Sequence, residues 1–199
     1  VATTIDENSG NMWIWRLDGA TGSNSVGRVA ITGTDTDSDS PRLRLPGPVV
    51  TQLDNDAAPE MILTVPTDSN GRTTGYGARF IGMELTSTQE IFSFRSQNGF
   101  ADAPPLPIDT DADGIDDRLC WVTWYSSSSF SFDREGMVGC HDLSNDPPTK
   151  EWSKVMNRGG SGNSNDEIAV SPPSLMDING QDGEEIVVAF GRRVYAFEG

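Results

Sequence analysis

Short apolar runs rich in Val, Ile, Trp and Phe recur along the chain, separated by clusters of Gly, Pro, Asp, Asn and Ser. No apolar stripe of helical spacing lasts beyond a turn or two, so the pattern predicts an all-β fold. Three of the runs stand directly behind an acidic cluster: "VVTQLDNDAAPEMILTV" from Val49, "LPIDTDADGIDDRLCWV" from Leu106 and "SLMDINGQDGEEIVVAF" from Ser174. Aligned without gaps, Gln52, Asp109 and Asp177 take the first position, and Asp54, Asp111 and Asn179 the third. Asp56, Asp113 and Gln181 take the fifth, and Glu60, Asp117 and Glu185 the ninth. Each copy has an apolar echo further on, "FIGMEL" from Phe80, "VGCHDL" from Val138 and "VYAFEG" from Val194. A fourth echo, "WIWRLDGATG" from Trp13, has no acidic loop before it.

The repeating unit therefore reads strand, acidic loop, strand, connection, strand, and then a more variable outer strand such as "EIFSFR" or "KEWSKV". From Asp54 to Asp111 is 57 residues and from Asp111 to Asn179 is 68. Periods of that size with several short strands per unit predict propeller blades, because each sheet can bury its faces only against neighbouring copies. A β-sandwich with accidental loop similarity is the alternative. The expected organisation is a β-propeller segment of about three four-stranded blades with calcium loops between strands. Residues 1–46 would hold the end of one blade and a connection, 47–103 and 104–171 one blade each, and 172–199 the start of a further blade. The chain opens part-way through a unit and stops before the last outer strand. It is thus expected to be completed by the remainder of a longer chain or by another subunit.

Charge narrows the partners. Thirty acidic residues against 14 basic ones give a formal net charge of -16, which repels nucleic acid and anionic lipid and favours cations. No apolar run approaches the roughly 18 residues of a membrane span. Calcium takes six to eight oxygens at about 2.3–2.6 Å, and carboxylates at alternate positions turn several oxygens toward one centre. In the second copy Asp109, Asp111, Asp113 and Asp117 supply side-chain oxygens, Gly114 permits the sharp turn and Ile115 presents its backbone carbonyl. The first copy offers Asp54, Asp56 and Glu60 with Ala58 in the carbonyl position, and the third Asp177 and Glu185 with Asn179 and Gln181 as neutral helpers. Calcium affinity should fall from second to first to third as ligand charge falls. An EF-hand fits poorly, because its twelfth position falls on Cys120 and the flank "RLCWVTWY" reads as a strand.

With these residues in place, the third copy, "DINGQDGEEIVVAFGRRVYAFEG", resembles the FG-GAP or VCBS-type repeats of integrin-alpha-like propellers. Their pattern runs Asp-x-Asp-Gly-Asp-Gly-x-x-Glu, an apolar strand and a Val-Tyr-x-Phe-like strand. The likeness covers most of the chain and is strongest at Asp109–Asp117 and Asp177–Phe197. It is weaker at Gln52–Glu60, where Gln52 replaces the first acid and Ala57 the usual glycine; Gln181, Asp182 and Gly183 also depart from the pattern. The resemblance implies a structural calcium-binding propeller, extracellular or at a cell surface, that serves as an adhesive platform for a protein or glycan ligand.

The remaining features change the picture less. "TDTDSDS" from Thr34 reads as a solvated loop, "SSSSFSF" from Ser126 as the wide connection of a hairpin, and "NRGGSGNSND" from Asn157 as a surface loop. Trp13, Trp15, Trp121, Trp124 and Trp152 could stack on sugars, but aromatics at recurring strand positions are expected in the core between blades. Cys120 falls on the strand after the acidic loop and Cys140 on the echo strand that should pair with it, which predicts a disulfide. His141 is the sole histidine, and adjacent strand residues point to opposite faces, so Cys140 and His141 are badly placed to act as a nucleophile and its base. No catalytic residues are expected. A calcium-dependent polysaccharide lyase and a subunit of a surface filament or layer are the alternative functions.

Overall fold

The computed structural model describes residues 2–6, 11–17, 21, 24–31, 46–67, 77–85, 87, 89–96, 101, 103–126, 134–157, 170–181 and 183–198. The "TDTDSDS" stretch, the connection at 127–133 and most of the loop from Asn157 lie outside the described residues, as do the side chains of Trp13 and Trp15. Among the described residues, fourteen strands form four antiparallel sheets, and each sheet is a simple meander in chain order. The first holds β1 (Ala2–Asp6), β2 (Asn11–Leu17) and β3 (Asn24–Ile31). The second holds β4 (Val49–Thr51), β5 (Glu60–Thr67), β6 (Gly77–Glu84) and β7 (Glu90–Arg95). The third holds β8 (Leu106–Ile108), β9 (Arg118–Ser126), β10 (Arg134–Asp142) and β11 (Thr149–Asn157). The fourth holds β12 (Ser174–Met176), β13 (Glu185–Phe190) and β14 (Arg193–Glu198). The all-β expectation holds, and the outer strands "EIFSFR" and "KEWSKV" are β7 and part of β11.

Sheets two, three and four pack face to face, which explains why their inner strands read as continuous apolar runs rather than as strict alternation. Ile62, Phe80 and Phe92 from the second sheet bury against Leu119 and Trp121 of β9. From the other face of the third sheet, Cys120, Val122, Val138, Cys140 and Met156 bury against Ile186, Val188 and Phe190 of β13. On the opposite face of the second sheet, Met61, Leu63, Val65, Ile81 and Met83 are also buried. Close approach between sheets needs glycine at Gly136. A Cβ there would lie 2.7 Å from the Phe190 ring, and one on Gly82 would lie 2.4 Å from Phe92.

Among the described side chains, Trp121, Trp124 and Trp152 behave as core rather than as sugar platforms. Trp121 is 1 % exposed and packs on Phe80 with ring centroids 5.9 Å apart. Trp124 and Trp152 pack on the cluster shared by the third and fourth sheets.

Cys120 and Cys140 face each other directly across the β9–β10 ladder and form a disulfide with a sequence separation of 20. The prediction from the aligned copies is thus met. A cross-link closing a loop of this length stabilises mainly by restricting the unfolded chain. Reduction, or the Cys120→Ala/Cys140→Ala double variant, is expected to cost about 3 kcal/mol. A lowered denaturant midpoint is the readout.

Candidate metal centre

The acidic loops connect the first two strands of each of the last three sheets, at 52–59, 109–117 and 177–184. Their side chains fold back onto the loops' own amides, as short polar residues in turns do. In the second loop Asp109 Oδ2 accepts from Gly114 N at 2.7 Å and Asp113 Oδ1 from Ile115 N at 2.8 Å. The chain reverses through two left-handed residues, Ala112 at φ 61° and Gly114 at φ 94°. The result is convergence: Asp109, Asp111 and Asp113 each bring a carboxylate oxygen within 4.8 Å of the others. Two oxygens touching one ion at about 2.4 Å can be no further apart than about 4.8 Å, so this set of hard oxygen donors could hold a metal ion. The Gly114 amide, foremost among several backbone donors, holds Asp109 below the usual carboxylate range and thus ionised.

Asp117 does not join that group. Its two oxygens accept from Thr110 N at 3.0 Å and Thr110 Oγ1 at 2.5 Å, which closes the loop mouth instead. Asp116, which the spacing leaves without a role, ties the second and third sheets together. Its amide donates to the Gln52 carbonyl at 2.8 Å and its carboxylate accepts from Thr51 Oγ1. Burial, partly offset by its bond to Gln52, raises its pKa.

The first loop is assembled differently. Gln52, in the position that is aspartate in the other copies, turns its amide into the loop and donates to the carbonyls of Asp54 at 2.7 Å and Asp56 at 2.8 Å. Asp56 accepts from Ala58 N at 2.6 Å and so serves the turn. The carboxylates that converge are Asp54, Glu60 and Glu84, the last from the end of β6. Glu60 is fully buried; its Oε2 accepts from Leu53 N at 2.6 Å, and its Oε1 has no partner. Burial raises the Glu60 pKa against the opposing pull of the Leu53 amide, and burial together with Asp56 and Asp54 raises that of Glu84.

In the third loop Asp177 accepts from Gly180 N at 2.6 Å and Asn179 Oδ1 from Gln181 N at 2.7 Å. Glu185 accepts from Ile178 N at 3.0 Å and from the Asn179 side chain. Both of its oxygens are thereby used, and among the described residues no group of three acids converges in this loop. The first two loops thus each gather three carboxylates, whereas the third is held by amides.

His141 belongs to the core between the second and third sheets. Its Nδ1 accepts from Trp121 Nε1 at 3.0 Å, and its ring stacks on Phe94 with centroids 3.8 Å apart. Cys140 points the other way, into the cluster with β13, as strand alternation requires. Burial, and then the charge of Lys150, lowers the His141 pKa to about 4. The unfolded chain takes up this proton near pH 6.5, whereas the folded chain resists it down to about 4. Stability is accordingly expected to fall as pH drops through that window, by on the order of 2 kcal/mol once solvent screening is allowed for. Unfolding curves of the wild type and His141→Gln across pH 4–7 check this, since only the wild type should carry the loss.

The chain matches no protein-family model, no curated protein and no solved structure. Among the described residues, no helix is long and apolar enough to cross a membrane.

Proposed function

We propose that this chain is a segment of a calcium-binding β-propeller of the FG-GAP type, acting outside the reducing cytosol as a rigid platform for adhesion to a protein or glycan. The observation that carries the reading is the convergence of Asp109, Asp111 and Asp113, at alternate positions of a turn, into one cluster of hard oxygen donors. The blade-like meanders and their face-to-face packing support the propeller architecture. A disulfide between neighbouring strands supports an oxidising compartment. In this reading the ions are structural: they neutralise carboxylates crowded at the loop and fix one end of each sheet.

The test is calcium-dependent retention of the labelled chain on immobilised matrix glycans and cell-surface proteins. Retention in calcium that is lost with chelator and in Asp111→Ala is the expected result. Release of unsaturated sugars on incubation with acidic polysaccharides would replace the platform reading with a lyase.

A further inference from the structure

Glu60 and Glu84 stand directly opposite one another in the β5–β6 ladder. Like charges at such a pair repel, because their Cβ atoms lie only about 5 Å apart. The neighbouring sheets resolve the corresponding position with their own atoms. In the third sheet the register is one residue different, so Asp142 of the echo strand faces Arg118, a cation. In the fourth sheet Glu185 faces Glu198, but both oxygens of Glu185 are taken by the Ile178 amide and Asn179. The second sheet has neither device. Glu60 Oε1 is buried without a partner, and the charges acting on Glu60 are those of three further carboxylates, Asp54, Glu84 and Asp56.

A buried carboxylate oxygen with no donor is costly, and the cost is removed by a cation within reach. Asp54 and Glu84 bring their oxygens within 4.8 Å of Glu60's and are only half-buried, so the cluster is open to solvent on one side. The loop carbonyls of Asp54 and Asp56 are meanwhile occupied by the Gln52 amide, which turns binding away from the loop interior and toward the strand end.

We propose that Asp54, Glu60 and Glu84 form a divalent-cation site that bridges two strands, with Glu84 as a ligand lying outside the acidic loop. Calcium suits it best, since three carboxylates from a loop and two strands satisfy its tolerance for irregular oxygen coordination better than magnesium's demand for an octahedron. The proposal rests on the reading of the chain as a calcium binder but adds a ligand that the loop spacing does not contain. Occupied in this way, the site would pin the end of β6 to the first loop.

Calorimetric titration with calcium chloride of the wild type, Glu84→Gln and Asp111→Asn separates the possibilities. Glu84→Gln is expected to weaken one binding step by about tenfold or more, as loss of a charged ligand does, and to leave the Asp111-dependent step intact. Its melting temperature should move in opposite directions, above the wild type in excess chelator, where a repulsion has been removed, and below it in saturating calcium. Asp54→Asn should reproduce the titration result. A Glu84→Gln titration identical to the wild type, or a variant that melts higher in both conditions, overturns Glu84 as a ligand while the Asp111 step keeps the wider reading. A wild type that binds no calcium overturns both.

Discussion

Excess chelator is expected to destabilise the folded chain by about 4 kcal/mol relative to a solution in which free calcium exceeds the dissociation constant about a thousandfold. For a chain of this size that corresponds to a fall in melting temperature on the order of 10 °C. The physical cause is mass action on the folded state, joined by the repulsion that returns when Asp109, Asp111 and Asp113 crowd together without a counter-charge. Asp111→Ala and Asp113→Ala should each reproduce part of the fall and blunt the response to chelator. Asp37→Ala, in the "TDTDSDS" stretch, should leave both unchanged. Differential scanning calorimetry in calcium and in chelator is the direct comparison.

Trp121→Ala is expected to cost about 3–5 kcal/mol, as large buried aromatics do when truncated. Trp121 is 1 % exposed, lies where the second and third sheets meet, and stacks on Phe80. Truncation would also leave the His141 Nδ1 without its donor, adding the loss of a buried hydrogen bond to that of the packing. Trp121→Phe keeps most of the apolar volume and loses only the donor, so its cost should be clearly smaller. Urea unfolding at constant slope checks the pair. Equal midpoints for wild type and Trp121→Ala would mean that the two sheets do not depend on this contact.

Much of the fold was legible because the signals are local. The alternating aspartates of the second loop announce a turn with inward oxygens, and Asp109, Asp111 and Asp113 do converge. The aligned copies placed Cys120 and Cys140 on paired strands, and they are direct partners. The continuous apolar runs of β5 and β9 marked strands buried on both faces.

What the spacing missed depends on register and on contacts between sheets. Glu84 enters the first cluster only because β5 and β6 pair with Glu60 opposite Glu84. The equivalent strands of the third sheet pair one residue differently, and there Arg118 faces the acid. A signal was present, since an acid recurs in the echo strands as Glu84, Asp142 and Glu198, but it does not by itself say what each one faces. Asp117 satisfies the ninth position of the pattern yet turns to Thr110, because a threonine one residue into the loop offers both an amide and a hydroxyl. Asp116 looks like a fifth loop acid and instead reaches Thr51 and Gln52 in the preceding sheet, a contact that no spacing within the loop encodes.

Whether bound calcium holds these loops is read from the metal content of the native chain after equilibrium dialysis against calcium, with Asp111→Ala alongside. Calcium retained by the wild type, and less of it by the variant, is the expected result. A wild type that carries no calcium and melts at the same temperature in calcium as in excess chelator would contradict it.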